Sequence, residues 1–210
     1  MKAAIRKNPA AVEGVIPPVI PHSDFRTPEY ARFPTIQAKK WEATRGMSHS
    51  FGFNRNDTAD DYAPIETLLA DFIDGVAKNG NLLLNVGPRA DGSIPEPQAD
   101  RLKAFGAWLR ANGAAIYGAR PWLRAEGVTA DGDPVRFTVK GDRLFVIVLG
   151  SPTGSEIRVR DLAASGPGVR LADGSAVTVR AEGDDLVLGF ATPLDGAFGP
   201  AVSLAVQGGS

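Results

Sequence analysis

The segment KKWEATRGMSHSFGFNRND, residues 39–57, carries the side chains best suited to chemistry on a small ligand. Aromatic, acidic, basic and amide side chains occur together there, at Trp41, Glu42, Arg45, His49, Ser50, Phe51, Phe53, Asn54 and Asp57. The segment follows neither a helical nor a strict strand period, so we predict a strand end that runs into a loop. Because binding and catalytic residues concentrate on loops held by a rigid framework, this segment is the first candidate for a site.

Acidic residues around this segment could supply the pair of carboxyl groups that hydrolysis of a glycosidic bond needs. They are Asp24, Glu29, Glu42, Asp57, Asp60 and Asp61. Glycoside hydrolysis needs two carboxyl groups flanking one bond, and one of them must stay protonated near neutral pH. Glu42 follows Trp41, and Glu29 precedes Tyr30 and lies near Phe33, so either glutamate has the apolar neighbours that a general acid needs.

Each of these residues also has an ordinary structural interpretation. A glutamate beside a tryptophan is commonly half-exposed, and two alternating phenylalanines such as Phe51 and Phe53 are commonly core residues of a strand. His49 alone fits a surface position, and Asp60 and Asp61 fit the acidic start of a following helix. Composition and spacing alone therefore indicate only a site for a sugar or another small ligand.

The composition excludes several other classes of function. The formal net charge of -1 provides no basic surface, which argues against nucleic acid as a partner. The absence of cysteine excludes disulfides and thiolate metal sites, and the presence of only His22 and His49 argues against a histidine-based zinc site. We therefore expect no metal and no cofactor.

Targeting signals are not recognisable in the sequence. No apolar run approaches the roughly 20 residues that a membrane-spanning helix needs. The N-terminal stretch MKAAIRKNPAAVEGVIPPVIPH lacks the sustained apolar core of a signal peptide. As written, the sequence predicts a cytoplasmic chain with no membrane partner, and the compartment of the natural protein stays open.

The residues after Pro64 predict alternating helices and strands. Apolar residues spaced by three and four, from Ile65 to Val76, predict a helix that closes at KNG, with Gly80 as the glycine after its end. The run NLLLNVG predicts a strand buried on both faces of a parallel sheet. A second helix is predicted over residues 96–112 with Leu102, Phe105 and Leu109 inward. This order is typical of a βα-repeat fold.

The C-terminal part of the sequence has the pattern of antiparallel strands. Six short runs, VRFTVK, RLFVIVL, EIRVR, AVTVRAE, DLVLGF and AVSLAV, are separated in several places by DG or GD turns. We therefore predict an antiparallel β-sandwich over residues 124–210, preceded by a partial α/β domain over residues 24–123. Four prolines within residues 1–23 predict a linker-like or divergent N-terminal segment.

Three blocks of the sequence resemble the C-terminal part of the catalytic domain of family 29 α-L-fucosidases. They are KKWEATRGMSHSFGFNRND, NGNLLLNVGPRADGSIP and LKAFGAWLRANGAAIYGARPW, in the family's order and spacing, and they cover about residues 24–122. The resemblance implies the C-terminal portion of a (β/α)8-like barrel followed by a β-sandwich. It also implies a retaining exo-glycosidase that removes terminal α-L-fucose from glycoconjugates or oligosaccharides.

The resemblance assigns roles to individual residues. Glu29, in TPEY, falls where several members place the general acid/base, and Glu42 falls at a second acidic position with the same assignment in some members; we favour Glu29 as acid/base and Glu42 as a supporting carboxylate. Phe51 takes the place of an aromatic, often tryptophan, that packs on the C6 methyl face of fucose. Trp41 and His49 are expected to contact the substrate.

The sequence departs from the family where the nucleophile should lie. The family's upstream nucleophile, its sugar-binding histidines and an arginine before Glu29 have no counterpart, so Asp24, Asp57 or Asp61 would have to substitute. An alternative is a catalytically inactive remnant that binds fucosides or serves in assembly. Because a partial barrel exposes its end strands and inner face, we expect the chain to self-associate as a homo-oligomer or to pair with the missing N-terminal part.

Overall fold

The computed structural model describes residue 22, residues 24–164 and residues 166–205. Nearly all of the predicted linker-like segment 1–23 lies outside the described residues. The chain divides into two compact units, the first ending at Ala107 and the second beginning at Trp108. The predicted domain boundary after residue 123 stays a prediction. Among the described helices, none combines the length and apolar character needed to cross a bilayer.

The first unit contains a small parallel sheet and its helices. Strand β1 spans Trp41–Gly46, helix α1 Ile65–Ala77, strand β2 Gly80–Asn85 and helix α2 Glu96–Asn112, whose last turns belong to the second unit. A short 3-10 turn, Ala59–Asp61, lies before α1. The predicted helical stripe is confirmed, because Leu68, Leu69 and Ile73 are buried. The predicted bounds of the second helix are also confirmed.

Three chain segments run parallel in this sheet. β1 pairs with β2 in a continuous register from Trp41–Gly80 to Gly46–Asn85. On the other edge of β1, residues 26–29 form parallel bridges, Arg26 to Trp41 and Glu29 to Thr44. Helix α1 connects β1 to β2, as a parallel pair requires. The order across the sheet is therefore segment 26–29, β1, β2.

The two faces of this sheet have different environments. On one face, which packs on α1, Leu82 packs against a cluster that includes Trp41 and Ala43, and Leu84 packs against a cluster that includes Leu68. On the opposite face, which we call the open face, register places Glu42 and Thr44 beside Asn81 and Leu83. Leu83 is 52% exposed there. The prediction that this strand is buried on both faces is wrong for the described chain, because no second layer covers the open face.

Two local predictions are also wrong. The residue with a left-handed backbone after α1 is Asn79, with φ of 74°, and not Gly80. Asparagine tolerates this conformation, whereas Gly80 begins β2 and leaves room for the indole ring of Trp41. In α2, Leu102 is exposed and not inward, since Phe105 provides the contact with the core beside Leu68.

The second unit is an eight-stranded antiparallel sheet. Its strands are β3 Arg120–Val128, β4 Pro134–Lys140, β5 Arg143–Val148, β6 Thr153–Val159, β7 Gly168–Arg170, β8 Ala176–Glu182, β9 Asp185–Asp195 and β10 Ala201–Ala205. All six predicted runs are strands, and β3 and β7 are additional.

This sheet folds around a single core. The strand order is β3-β4-β5-β10-β7-β8-β9-β6, and Thr129, directly after β3, forms an antiparallel bridge with Val159 at the end of β6. The two end strands are thereby joined. Inward residues from distant strands, such as Phe137, Val146 and Leu188, belong to one buried cluster. The hydrophobic effect acting on these alternating side chains holds the unit together.

Candidate functional site

The carboxyl ends of segment 26–29 and of β1 meet at Tyr30. Its backbone N–H donates to the Thr44 carbonyl over 2.9 Å, and its hydroxyl accepts the Gly46 N–H over 3.0 Å. Glu29, the preceding residue, is exposed and bridges to Thr44, which places it on the open face. In parallel barrels, catalytic residues cluster at this end of the strands. Glu29 therefore lies at the end of the sheet where chemistry is expected.

The loop after β1 folds back to the carboxyl ends of the strands, beside Tyr30. The Phe51 ring packs against the Tyr30 ring with centroids 5.3 Å apart and planes tilted by 58°. The Asn85 amide donates to the Phe51 carbonyl, which ties the loop to the end of β2. Gly87 allows a close approach, since a Cβ there would lie 2.6 Å from the Phe53 nitrogen. The structure thus brings Phe51 next to the residue that follows Glu29.

Glu42 occupies a different position. It is the second residue of β1 and half-buried, and it faces the open side beside Asn81. Thr44, which is level with Glu29, is two residues further along the strand, a rise of roughly 7 Å. Glu42 also lines a cavity of about 440 Å³ at the amino ends of the strands, together with Asp24, Phe25, Lys39, Lys40, Trp41 and Asn81. The two predicted carboxylates therefore share a face but not an end of the sheet.

Trp41 belongs to the core. Its side chain is 1% exposed, its indole N–H donates to the Lys78 carbonyl over 3.0 Å, and its ring meets Phe33 edge to face at 4.9 Å. Its ring lies in the core of the sheet, although part of Trp41 also lines the amino-end cavity, and the expectation that it contacts substrate stays a prediction. Because Trp41 packs between β1, β2 and α1, it supports the strand that carries Glu42.

His49 is exposed at the opposite face of the sheet. It lines a cavity of about 400 Å³ between β1 and α1, with Arg45, Asp61, Tyr62 and Asp71 among its neighbours. Glu29, Glu42 and Phe51 do not line this cavity. The predicted site residues are therefore distributed over three places. Among the described residues, Glu29 and Phe51 are brought together by Tyr30, which follows Glu29 in the chain and packs against Phe51.

The acidic residues considered as substitute nucleophiles make local contacts. The Thr58 backbone N–H and hydroxyl donate to the Asp61 carboxylate over 2.8 and 2.9 Å and lower the pKa of Asp61. The Asn54 amide donates to Asp57 over 2.6 Å, and Asp24 lies at the amino-end cavity. These contacts indicate structural roles for Asp57 and Asp61. Within the described ranges, no group of three or more acidic or histidine side chains is placed to hold a metal ion.

A sequence profile described as Alpha-L-fucosidase matches residues 8–114. This is slightly more than half of the chain. The chain belongs to the α-L-fucosidase family. The matched region contains Glu29, the loop with Phe51, and both parallel strands. The family match therefore covers the part of the chain where Glu29 and Phe51 come together.

Individual fucosidases show how much of a relative this chain represents. It is 37% identical over 123 residues to an α-L-fucosidase of Branchiostoma floridae, and the match covers 58% of this chain and 27% of the relative. The plasma α-L-fucosidase of Rattus norvegicus is 36% identical over 129 residues, with 55% and 28% covered. The chain thus spans about a quarter of the length of these relatives.

The solved fucosidase structures match both units. The α-fucosidase of Thermotoga maritima in complex with fucose has a TM-score of 0.77 and 39% identity, and the match covers 89% of this chain and 43% of that one. The predicted fold class is confirmed: the chain is the C-terminal portion of a (β/α)8-like barrel followed by an antiparallel β-sandwich. Because the helices of a (β/α)8 barrel form its outer ring, the open face, which lies opposite α1, corresponds to the inner face of such a barrel.

Sequence reasoning missed the residues that hold this candidate site together. Tyr30, Gly46 and Asn85 join the ends of three parallel segments. The available signal was the position of Tyr30 directly after Glu29 in TPEY. Its contacts with residues sixteen and twenty-one positions away follow from strand pairing, which the local sequence does not reveal.

Proposed function

We propose that this chain carries the acid/base part of a retaining α-L-fucosidase site, which removes terminal α-L-fucose from oligosaccharides or glycoconjugates. The observation that carries the proposal is the position of Glu29 at the carboxyl ends of parallel strands, next to the Tyr30–Phe51 ring pair. A carboxyl group beside an apolar surface suits a sugar that has both an oxygen to protonate and a methyl group to pack.

Each of these residues has its own role in the proposed reaction. The Glu29 carboxyl group donates its proton to the glycosidic oxygen as a nucleophilic carboxylate bonds to the anomeric carbon and displaces that oxygen. The Glu29 carboxylate then takes a proton from the water that attacks the same carbon and displaces the nucleophile. Phe51 packs against the C6 methyl face of fucose. Glu42 supports the sugar from deeper on the open face. His49 lies on the opposite face of the sheet and is given no contact with the sugar in this proposal.

The nucleophilic carboxylate comes from a barrel segment outside the described residues. A retaining mechanism needs two carboxyl groups about 5–5.5 Å apart. Asp57 and Asp61 are engaged in turn contacts, and Asp24 lies toward the amino ends of the strands. The segment with the nucleophile belongs either to a longer form of the same polypeptide or to a partner.

The open face also supports self-association. Leu83 is exposed in the middle of it, with Thr44 beside it and Asn81 and Asn85 on either side along β2. An exposed apolar side chain on a sheet face is commonly covered by protein. We propose a second copy of the chain as the covering partner.

The test is release of p-nitrophenol from p-nitrophenyl α-L-fucoside by the 210-residue chain, alone and mixed with a polypeptide carrying the N-terminal barrel strands of a related fucosidase. Glu29→Gln should lower turnover by roughly a hundredfold to ten-thousandfold, the usual effect of losing a general acid/base. Glu42→Gln should have a smaller effect. Glu66→Gln, at an exposed position in the first turn of α1, is the matched control.

The results of this assay distinguish a catalytic role of Glu29 from an inactive, fucoside-binding chain. Turnover only in the mixture, abolished by Glu29→Gln, supports the proposed role and an external nucleophile. Equal turnover for the parent and Glu29→Gln would remove Glu29 from the mechanism. No turnover in either sample, with the chain shown to be folded, would leave the inactive fucoside-binding alternative, which a fucose titration followed by NMR would examine.

A further inference from the structure

Tyr30 has an unusual backbone conformation for its residue type. Its φ of 52° lies in the left-handed region. The other non-glycine residues with positive φ in the described ranges are His22, Asn79 and Asp161, types that adopt this conformation several times more often than average. A bulky aromatic residue keeps such a conformation only where its surroundings hold it there.

The side chain of Tyr30 shows what holds it. Its hydroxyl accepts the Gly46 N–H over 3.0 Å, and the guanidinium carbon of Arg45 lies 5.7 Å from its ring centroid. The Nε of Arg45 donates to the Gly46 carbonyl over 3.2 Å. Gly46 has no space for a side chain, since a Cβ would lie 2.8 Å from the Tyr30 hydroxyl and 2.4 Å from the Ser50 carbonyl oxygen. The end of β1 is thus held on both sides of Gly46.

Arg45 extends this arrangement to helix α1. It forms an ion pair with Asp71, which also pairs with Arg32 over 3.3 Å. Arg45 is therefore fixed in orientation beneath the Tyr30 ring, and the Phe51 ring packs on Tyr30 at 5.3 Å. Tyr30 is the contact between the segment that carries Glu29 and the loop that carries Phe51.

We infer that Tyr30 is a positioning residue that sets the geometry between Glu29 and Phe51. This inference rests on the proposed function, which assigns proton transfer to Glu29 and sugar packing to Phe51. The left-handed turn at Tyr30 ends the segment directly after Glu29, and the hydroxyl and ring then join this end to Gly46 and Phe51. A shift of about 1 Å in such a geometry is sufficient to lower a rate by roughly a hundredfold.

The test compares Tyr30→Phe, which removes the hydroxyl and keeps the ring, with Tyr30→Leu, which removes both. Tyr62→Phe is the control, because it removes the hydroxyl of a different tyrosine, which accepts from the Gln98 amide over 3.4 Å. In the mixture with the N-terminal barrel polypeptide, Tyr30→Phe should lower kcat roughly tenfold to a hundredfold with little change in KM. Tyr30→Leu should also raise KM, since Phe51 loses its packing partner. Tyr62→Phe should change neither.

Hydrogen exchange of the 210-residue chain tests the same inference without turnover. In Tyr30→Phe, the Gly46 amide and the amides of residues 47–53 should exchange roughly tenfold faster, while amides within α1 keep their rates. Absence of turnover in the parent would count against the proposed function, and the Tyr30 inference would then be decided by exchange alone. Equal acceleration in α1 and the loop would mean a general loss of stability, and an unchanged loop would mean no coupling. Either result overturns the inference.

Discussion

The indole ring of Trp41 lies against the backbone of Gly80, so close that a Cβ on Gly80 would be 2.4 Å from the ring carbon Cε2. The two residues are also register partners at the start of the β1–β2 pair. The indole N–H reaches past this contact to the Lys78 carbonyl. One contact therefore sets where β2 begins relative to β1, and with it the position of Glu42 beside Asn81.

Gly80→Ala should destabilise the first unit. The added methyl group meets a rigid buried ring, and such overpacking typically costs about 1–3 kcal/mol. Urea unfolding followed by tryptophan fluorescence measures the effect. Gly52→Ala is the matched control, since a Cβ at Gly52 meets no atom within 4 Å. Equal stability of Gly80→Ala and the parent would show that the ring moves aside freely.

Lys78→Met should lower the free energy of unfolding more than Lys103→Met, which breaks a similar pair on the surface. The Lys78 ammonium pairs with Asp74 over 2.9 Å, and both side chains are almost completely buried, so its loss leaves the Asp74 charge poorly compensated. Breaking a buried pair typically costs about 3–5 kcal/mol, reduced here because Arg32 also approaches Asp74 at 3.9 Å.

Lys103→Met is the control for this effect, because Lys103 and Asp100 form an exposed pair of the same chemistry over 2.9 Å. Such a surface pair contributes little to stability, because water and salt screen it. Chemical denaturation of the parent and both variants gives the three free energies of unfolding. Similar losses in the two variants would contradict the structural difference between these pairs.

The second unit should lose stability in acid as Glu156 and Glu182, the two carboxylates that Arg180 contacts, become protonated. Hydrogen bonds from Arg180 hold the pKa values of Glu156 and Glu182 below their ordinary value of 4.5. A carboxyl group with a lowered folded-state pKa stabilises the fold above about pH 4.5, and this contribution disappears as pH falls through the folded value. In Arg180→Gln the decline in unfolding midpoint below pH 4.5 should be shallower.

Urea midpoints measured in steps from pH 6 to pH 3 would reveal this difference. Arg55→Gln removes the same charge at an exposed position of the first unit and serves as the control. Identical pH dependence in the parent and Arg180→Gln would show that Arg180 does not act on these carboxylates in solution.

Phe51→Ala should weaken sugar binding more than Phe53→Ala. Phe51 is half-buried against Tyr30, whereas Phe53 is exposed two residues later in the same loop. Loss of an apolar surface worth about 1.4 kcal/mol raises a dissociation constant roughly tenfold. A fucose titration of both variants in the mixture with N-terminal barrel strands measures it. A larger effect of Phe53→Ala would mean that the Phe53 ring, and not the Phe51 ring, packs against the sugar.

Leu83→Lys should reduce self-association. The side chain is exposed at the centre of the open face, and a charge there must be desolvated when the face is covered. Sedimentation velocity of the parent and the variant at several concentrations gives the distribution of species. Leu123→Lys, at an exposed position in β3, controls for added charge. A monomeric parent, or an oligomer insensitive to Leu83→Lys, would exclude this face as the contact.

Much of this fucosidase-family chain follows from its sequence because the governing interactions are local. The apolar spacing from Ile65 to Val76 predicts α1, since one stripe of a helix must be buried. Six alternating runs predict six strands of the second unit, since alternate side chains of a strand point to the same face. Three sequence blocks identify the family without any geometry.

The arrangement of the site depends on tertiary structure. Trp41 and Glu42 are neighbours in sequence, yet one is a core residue and the other faces the open side, because the register with β2 decides which face is covered. Tyr30 joins Gly46 and Phe51 across sixteen and twenty-one residues. Periodicity is a property of neighbouring residues, whereas these contacts exist only after the chain has folded and brought distant segments side by side.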